Sequence, residues 1–171
     1  MNDSETKAPV ASKKNKKSKD SSLPIIGWRE WVALPSLGID RIKAKIDSGA
    51  RTSSLHAFET KVIVRHGKKY VHFKVHPRQR DPHWSVSTEA ELVDMRQIKD
   101  SGGKMTLRPV VRAQLLLFGV VCEIELTLAS RDEMGFRMLL GREALRGRFL
   151  IHAGKSYLAN KKKKKKQPPS L

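Results

Sequence analysis

The stretch that decides the fold is residues 41–50, which read RIKAKIDSGA. In the first six positions apolar side chains alternate with three cations, and this period of two predicts a half-buried β-strand. The strand ends in Asp47. The following Ser48-Gly49 allows a sharp turn, because glycine has no Cβ and its backbone can approach another segment closely. Asp47 is therefore the first candidate functional residue, and an Asx-type turn that caps the strand is the structural alternative.

A second motif, residues 136–145 with the sequence FRMLLGREAL, follows much later in the chain. Together the two motifs resemble the retropepsin-like aspartic peptidases. The signature of that family is two apolar residues, Asp, Thr or Ser, Gly and Ala; an apolar-apolar-Gly-Arg segment closes its active-site fold before a short helix. The longer string 47–57, with residues 108–111 between the motifs, is similar to a bacterial subfamily often called ATP-dependent zinc proteases. The resemblance extends over residues 28–157.

The resemblance implies roles for residues of the first motif. Asp47 is expected to be the catalytic acid. Ser48 would bind across a dimer to brace the acid loops, and Gly49 would offer backbone groups to the substrate, with Ala50 in the same active-site loop. His56, at the end of the signature, is expected to orient the loop or contact the substrate, with a local hydrogen-bonding role as the alternative.

The second motif is expected to be structural. Gly141 and Arg142 would hold the fold, with Arg142 acting through an ion pair and not in catalysis. Aspartic peptidases need two carboxylates that share a proton, and the chain has one Asp-Ser-Gly motif with the apolar approach, at residues 47–49. The resemblance therefore implies a homodimer in which each protomer supplies Asp47. Monomers are expected to be inactive.

The rest of the chain predicts a mainly β fold, a retropepsin-like small closed β-barrel with one short helix. Apolar alternation and turn signals place mostly antiparallel strands at 28–34, 41–46, 61–65, 70–76, 88–99, 110–117, 120–128 and 138–140, a helical turn at 142–148, and a last hairpin of 149–151 with 157–158. Strand is favoured over helix at 88–99. The flap that covers the substrate is expected at the turn 66–68 or at the turn 100–103.

Positive charge is concentrated at the two ends of the chain. The formal net charge is +18 over 171 residues. Residues 1–22 and 160–171 are rich in lysine and poor in large apolar residues, so they are predicted to be disordered tails around a peptidase domain at 25–159. The tails hold twelve of the 35 basic and three of the 17 acidic residues, which leaves 23 and 14. The basic domain is compatible with acidic or glutamate-rich peptides as substrates, and a solvated basic surface is the alternative.

The single cysteine, Cys122, excludes an intramolecular disulfide and agrees with a reducing compartment. It shares one face of a predicted strand with Val120, Ile124 and Leu126, which predicts a place in the core instead of a role as nucleophile. No stretch of the sequence has the length and composition of a transmembrane helix or of a secretory signal. A cytoplasmic protein is therefore expected.

No cofactor is expected. Zinc peptidases commonly carry His-Glu-x-x-His on a helix, and this motif is absent. His72 and His76 share one strand face with Lys74 between them, and a metal site that adds His83 is less favoured than a solvated polar face. The sequence has no phosphate-binding loop of the Gly-x-x-x-x-Gly-Lys type. Any nucleotide dependence is expected to come from a partner, because relatives of the subfamily are linked to ATP-grasp amide ligases.

A function of another class stays open from the sequence. A basic protein with lysine-rich tails could dock on RNA, a ribosome or an acidic protein surface, because clustered lysines attract phosphates without sequence specificity. Against this alternative, Tyr70 and Phe73 are too few to form a stacking platform for bases. Nucleic-acid binding through the tails is therefore the less favoured hypothesis, and the two functions are compatible.

Overall fold

The structure is a computed structural model that describes residues 23–78, 81, 83–99, 102–130 and 135–159. Its strands and helix are β1 Ile25–Gly27, β2 Arg29–Leu34, β3 Ile39–Asp47, β4 Ser53–His56, β5 Phe58–Arg65, β6 Lys68–Val75, β7 Val86–Lys99, β8 Met105–Leu117, β9 Val120–Ala129, β10 Met138–Gly141, α1 Arg142–Leu145 and β11 Leu150–His152. The tails at 1–22 and 160–171, predicted to be disordered, lie outside the described residues.

Strand β3 has the alternation that the sequence predicts. Ile42, Ala44 and Ile46 are buried, whereas Lys43 and Lys45 point away from the core. Before β3 the chain turns through a short 3-10 helix, and Gly38 ends this helix in the left-handed conformation with φ of 68°. That conformation favours glycine, because other residues meet a steric cost there.

Six strands form a closed ring. Around the ring the order is β2, β3, β10, β4, β9 and β8, and a pairing between Ala33 of β2 and Leu116 of β8 closes it. Strands β7, β6 and β5 extend the sheet outward from β8. Most neighbours are antiparallel, as predicted, but β10 runs parallel to β3 and β4 runs parallel to β9. The mainly β fold with one short helix is confirmed.

The hydrophobic core continues from the ring onto one face of the outer hairpin. Val71, Phe73 and Val75 of β6 are fully buried and belong to the same cluster as the ring interior. Large side chains from many strands fill this cluster, among them Ile26, Leu34, Ile42, Leu55, Leu115, Leu126, Met138 and Leu140. Burial of this apolar surface holds the strands in one register, since a slip of one residue would turn a strand's apolar face to water.

The predicted last hairpin is wrong. Strand β11 pairs in parallel with β1, and the segment after it does not return as a strand. The reason is the buried carboxylate of Glu30, which accepts hydrogen bonds from the backbone N–H groups of Leu158 at 2.8 Å and Ala159 at 3.2 Å. The N–H of Tyr157 also donates to the carbonyl of Arg29 at 2.9 Å. These bonds draw the segment along β2 and away from β11.

Candidate active site

The two sequence motifs meet at the end of β3. In the parallel pairing of β3 with β10, Ile46 lies opposite Leu140 and Asp47 lies opposite Gly141. Neither motif could form this arrangement alone, because β10 needs β3 on one side and β4 on the other. The pairing brings the acid, its turn and the Gly-Arg segment into one unit.

The Asp47 carboxylate is held by its own turn. Its Oδ1 accepts hydrogen bonds from the backbone N–H of Gly49 at 3.2 Å and of Ala50 at 3.1 Å. This geometry is an Asx-type turn, so the structural alternative from the sequence describes the conformation correctly. The turn also fixes the carboxylate at the wall of an open cleft, where Asp47 is half-buried.

Residues of the second motif hold that turn in place through hydrogen bonds to its backbone. The backbone N–H of Arg142 donates to the carbonyl of Ala50 at 2.7 Å, and its Nη1 donates to the carbonyl of Ser48 at 3.1 Å. An ion pair was expected for Arg142, but its guanidinium donates to a carbonyl oxygen. The backbone N–H of Gly141 donates to Oγ of the buried Ser53 at 3.0 Å.

Gly141 is needed because two backbones nearly touch. A Cβ at this position would lie 2.5 Å from the carbonyl carbon and 2.7 Å from the carbonyl oxygen of Thr52. Such distances are far inside van der Waals contact. The glycine therefore permits β10 to approach the active-site loop.

The other residues predicted for the site lie in different environments. Ser48 and Gly49 are exposed at the tip of the turn, and Ala50 is half-buried and lines the cleft. His56 is only 2% exposed, and its backbone N–H donates to the carbonyl of Arg137 at 2.8 Å. In this conformation His56 is not on the cleft wall, which favours the local role over contact with a substrate.

The cleft beside Asp47 has a volume of about 890 Å³ and is rich in cations. We call it the Asp47 cleft; its charged lining residues are Lys45, Asp47, Arg51, Arg96, Lys99, Arg108, Glu125 and Glu143. Five cations thus face three acids. The cations come from β3, from the active-site loop and from the long hairpin of β7 and β8. An anionic ligand would be attracted to this wall.

Arg96 organises one side of the cleft, and the sequence analysis did not single it out. Its guanidinium donates to Asp94 at 2.8 Å, to Glu125 at 3.0 Å and to Thr52 at 3.5 Å. The hydrogen bond to Asp94 is the main cause that raises the pKa of Arg96 above its ordinary value. The alternation along β7 places Asp94 and Arg96 on one face, but no local pattern predicts Glu125, which lies two strands away.

A second ion pair joins the active-site loop to α1. The Nε of Arg51 lies 2.8 Å from Oε1 of Glu143. This hydrogen bond lowers the pKa of the Glu143 carboxyl, with the nearby positive charges of Arg51, Arg146 and Arg142 acting in the same direction. Both side chains are substantially exposed, so the pair orients the loop more than it stabilises the fold.

Only one of the two candidate flaps contributes described residues to the cleft. Arg96, Ile98 and Lys99 of β7 and Arg108 of β8 line it, and none of the lining residues comes from β5 or β6. The turn that joins β7 to β8 begins at Asp100 and Ser101, which lie outside the described residues. Of the two candidate flaps, the long β7–β8 hairpin is therefore the one that borders the Asp47 cleft.

The histidines considered as metal ligands have other contacts. His72 Nε2 lies 3.0 Å from Ser87 Oγ, and the His76 ring stacks on Phe58 with centroids 4.3 Å apart. Within the described ranges, no group of three or more His, Cys, Asp or Glu side chains has an arrangement that could hold a metal ion. Cys122 is half-buried against the core, and burial raises the pKa of its thiol. None of the helices in the described part of the chain is long and apolar enough to span a bilayer.

Comparison with known families identifies the family of the chain. The model of the RimB-like family, described as retropepsin-like aspartic endopeptidase RimB, matches residues 25–162. The chain belongs to this family. The sequence resemblance to retropepsin-like peptidases is thereby confirmed. The match covers β1 to β11 and therefore includes both Asp47 and the Gly141-Arg142 segment.

Similar proteins carry a different name. A protein of Desulfotalea psychrophila named probable alpha-L-glutamate ligase is 48% identical over 134 residues, which cover 78% of this chain and 29% of the relative. A protein of Shewanella pealeana with the same name is 44% identical over 138 residues, covering 81% of this chain and 30% of the relative. The chain spans less than a third of the length of these curated relatives.

A solved structure supports the fold of this RimB-like chain. The protein Lpg0085 of Legionella pneumophila, of unknown function, superposes with a TM-score of 0.69 at 28% sequence identity. The match covers 80% of this chain and 98% of the Legionella chain.

Proposed function

We propose that the protein is an aspartic endopeptidase in which Asp47 from each of two protomers forms the catalytic dyad. The observation that carries the proposal is the pairing of Asp47 with Gly141 at the end of β3, beside an open cationic cleft. Family membership supports the hydrolase class. The single cysteine fits a reducing, cytoplasmic setting.

The chemistry needs a second carboxylate. One Asp47 carboxylate accepts a proton from a water molecule, whose oxygen attacks the scissile carbonyl carbon, while a protonated partner carboxyl donates a proton to the carbonyl oxygen. In the second half of the reaction the C–N bond breaks and the leaving nitrogen takes up a proton, which yields a carboxyl group and an amine. Two like charges at short distance cannot both ionise, so the dyad provides one base and one acid.

The sheet of β1 and β11 supports dimerisation near the acid. Among the described strands, these two pair only with each other. Ile25, Leu150 and Ile151 of this sheet are exposed to 50%, 45% and 41%, and exposed apolar side chains that lie together are typical of an interaction surface. The sheet lies close to Asp47, because Trp28, directly after β1, accepts the hydrogen bond of Ile46 at 2.9 Å. A second protomer that covers this sheet would bring two Asp47 loops together.

The substrate we propose is an acidic, glutamate-rich peptide. Five cations, Lys45, Arg51, Arg96, Lys99 and Arg108, line the Asp47 cleft and outnumber its three acids. The relatives named as glutamate ligases point in the same direction, because a peptidase can hydrolyse the amide bonds that such a ligase forms. We therefore propose a glutamate ligase as the functional partner of this peptidase. In the substrate complex, the β7–β8 hairpin serves as the flap.

The decisive experiment is cleavage of glutamate-rich and neutral peptide libraries by the wild type and by Asp47→Asn. The amide keeps the shape of the side chain but cannot act as a base or share a proton. We expect cleavage to fall below detection in Asp47→Asn and to persist in Glu91→Gln, which makes a comparable carboxylate-to-amide change at an exposed position of β7. Cleavage by Asp47→Asn would overturn the proposal, and equal cleavage of both libraries would overturn the acidic substrate.

A second experiment tests the dimer. Leu150→Asp places a charge on the exposed face of β11 and should give a monomer without peptidase activity, as measured by light scattering and peptide cleavage. Val64→Asp is the matched control, because Val64 is 68% exposed on β5 and should leave mass and activity unchanged. A fully active monomeric Leu150→Asp protein would contradict the shared dyad. An arm with a metal chelator, which should leave cleavage intact, tests the zinc alternative.

A further inference from the structure

A second cleft lies on the other half of β3. It has a volume of about 930 Å³ and is lined by residues of β2, of β3 and of the loop after β6. We call it the Trp31 cleft and define it by Trp31, Asp40, Arg41, Lys43, Arg78 and Trp84. None of these residues lines the Asp47 cleft.

Trp31 carries cations over its ring. The guanidinium carbon of Arg41 lies 4.1 Å from the centroid of the Trp31 ring, and the Nζ of Lys43 lies 5.3 Å from it. The ring of Tyr157 is stacked against Trp31 with centroids 6.0 Å apart and an angle of 24° between the planes. The indole is thus held in a fixed plane on the outer face of the sheet.

Trp84 repeats this arrangement in the same cleft. Trp84 is 43% exposed, so part of its indole is accessible to a ligand. The guanidinium carbon of Arg78 lies 4.5 Å from the centroid of the Trp84 ring. The backbone carbonyl of Trp84 lies 3.1 Å from the Nδ1 of His76, and this contact connects the loop after β6 to the end of that strand. Two indoles, each with an arginine beside it, therefore share one cleft.

We propose that the Trp31 cleft binds single-stranded nucleic acid. An acidic peptide would pair with Arg41, Lys43 and Arg78 but has no planar groups for the two indoles. A proline-rich peptide would use aromatic rings but brings no anions for three cations. A nucleotide chain satisfies both sets of side chains, because its bases stack on the exposed Trp84 ring and on guanidinium planes such as that of Arg41 over Trp31, and its phosphates pair with arginine and lysine. Asp40 can accept hydrogen bonds from amino groups of the bases.

This inference is independent of the peptidase proposal, although the two clefts share a strand. Arg41, Lys43, Lys45 and Asp47 follow one another at every second position of β3, so Lys43 and Asp47 are about 13 Å apart along the strand. The lysine-rich tails would add binding to any polyanion. A test must therefore separate stacking in the cleft from charge elsewhere.

The test is fluorescence anisotropy of labelled 12-nucleotide RNA and DNA oligomers with the full chain over a range of salt concentrations. Stacking on one aromatic side chain is worth at least about fivefold in affinity, and stacking does not release counterions. Trp84→Ala should therefore weaken binding at least about fivefold at every salt concentration, with the salt slope unchanged. Tyr70→Ala removes an aromatic ring that also has an arginine beside it, with the Arg65 guanidinium carbon 5.3 Å from its centroid, but that does not line the Trp31 cleft, and this variant should bind as the wild type does.

Arg41→Ala is the complementary variant. It removes one phosphate contact and should reduce the slope of log affinity against log salt by about one. Lys69→Ala removes an exposed cation of β6 that does not line the Trp31 cleft, and it should leave this slope unchanged. All variants keep both tails, so the background is the same. Wild-type affinity in Trp84→Ala would overturn the proposal. Displacement of the oligomer by a polyglutamate peptide with the same Trp84 dependence would also overturn it, in favour of an acidic-peptide site.

Discussion

The Asp47 cleft and the Trp31 cleft lie on the same outer face of β3 but are built differently. The acid is held by backbone groups of its own turn, and that turn is braced through the carbonyls of Ser48 and Ala50. In the Trp31 cleft, long side chains lie over aromatic rings without such a network. A site defined by connected backbone contacts should fail as a unit, whereas a site of separate side chains should lose affinity one contact at a time.

The largest effect is expected at Glu30, which supports both clefts from the core. Its buried carboxylate accepts hydrogen bonds from Gly27, Leu158 and Ala159 at 2.6, 2.8 and 3.2 Å. Glu30→Ala leaves three buried or partly buried N–H groups without this acceptor, and the free energy of unfolding should fall by about 3–5 kcal/mol. Urea denaturation monitored by circular dichroism measures this change.

The same substitution should disturb both sites, because Gly27 belongs to β1 and Leu158 follows the tyrosine that stacks on Trp31. Glu123→Ala is the control: this exposed acid pairs with Arg112 at 3.7 Å, and its loss should cost less than about 1 kcal/mol. Equal stability losses in the two variants would show that the buried carboxylate is not a shared support.

The next largest effect separates the two clefts. Gly141→Ala introduces a Cβ that lies 2.5 Å from a backbone atom of Thr52, so β10 and the active-site loop must move apart. We expect a loss of about 1–3 kcal/mol in stability and, since a shift of about 1 Å can cost 100-fold in rate, a loss of about that size in peptide cleavage. Oligomer binding at the Trp31 cleft should stay within about twofold of wild type.

Gly135→Ala is the matched control for this variant. A Cβ at Gly135 meets nothing within 4 Å and its φ is not positive, so cleavage and stability should be retained. Full peptidase activity in Gly141→Ala would contradict the view that the Asp47 cleft depends on close backbone contact.

A smaller effect is expected for Arg142→Ala, which removes one brace of the acid turn. The guanidinium bond to the Ser48 carbonyl is exposed, so its loss should change stability by about 1 kcal/mol or less. Cleavage should fall about tenfold, mostly in kcat, because the turn positions the acid and not the substrate. Steady-state kinetics on a single peptide measure kcat and KM of the variant and of the wild type.

Arg146→Ala changes the exposed residue after α1 and should leave kcat unchanged. Equal losses of kcat in both variants would show that the bond from Arg142 to Ser48 is not the cause.

The smallest effect is a change in titration at the rim of the Asp47 cleft. The pKa of Glu143 lies below its ordinary value because of the hydrogen bond and charge of Arg51. In Arg51→Ala the pKa of Glu143 should rise toward 4.5, as measured by carbon-detected NMR. Since the folded pKa is the lower one, the contribution of this pair to stability is present above pH 4.5 and is lost as the pH falls through the folded value.

Arg112→Ala serves as the control for that titration. Its partner is Glu123 on β9, so the pKa of Glu143 should stay low in this variant. An unchanged pKa of Glu143 in Arg51→Ala would show that the loop and α1 are not joined through this pair.

The features that could be predicted from the sequence are those that depend on neighbouring residues. The period of two in β3, the turn at Ser48-Gly49 and the strand before Gly141 follow from neighbouring residues, and the structure has each of them. Strand β7 is present where strand was favoured over helix. The adjacency of the two motifs followed only from the family resemblance, because nothing local indicates that β10 lies parallel to β3.

The features that could not be predicted depend on residues far apart in the chain. Trp31 and Trp84 belong to separate elements, and only the folded sheet places both in one cleft. Glu30 lies in an ordinary alternating strand, and its partners at 158 and 159 appear only when the last segment packs against β2. That packing also replaced the predicted hairpin. In each case a contact between residues far apart in the chain decided the outcome.

Strand β3 sets the distance between the two clefts, because it carries residues of both. Its outward side chains recur about every 6.7 Å, so Arg41 and Asp47 are separated by about 20 Å along the strand. The spacing cannot drift, since a slip of one residue would turn all of these polar groups into the core and expose Ile42, Ala44 and Ile46. A ligand in the Trp31 cleft and a ligand in the Asp47 cleft would therefore be held at a separation that the strand itself fixes.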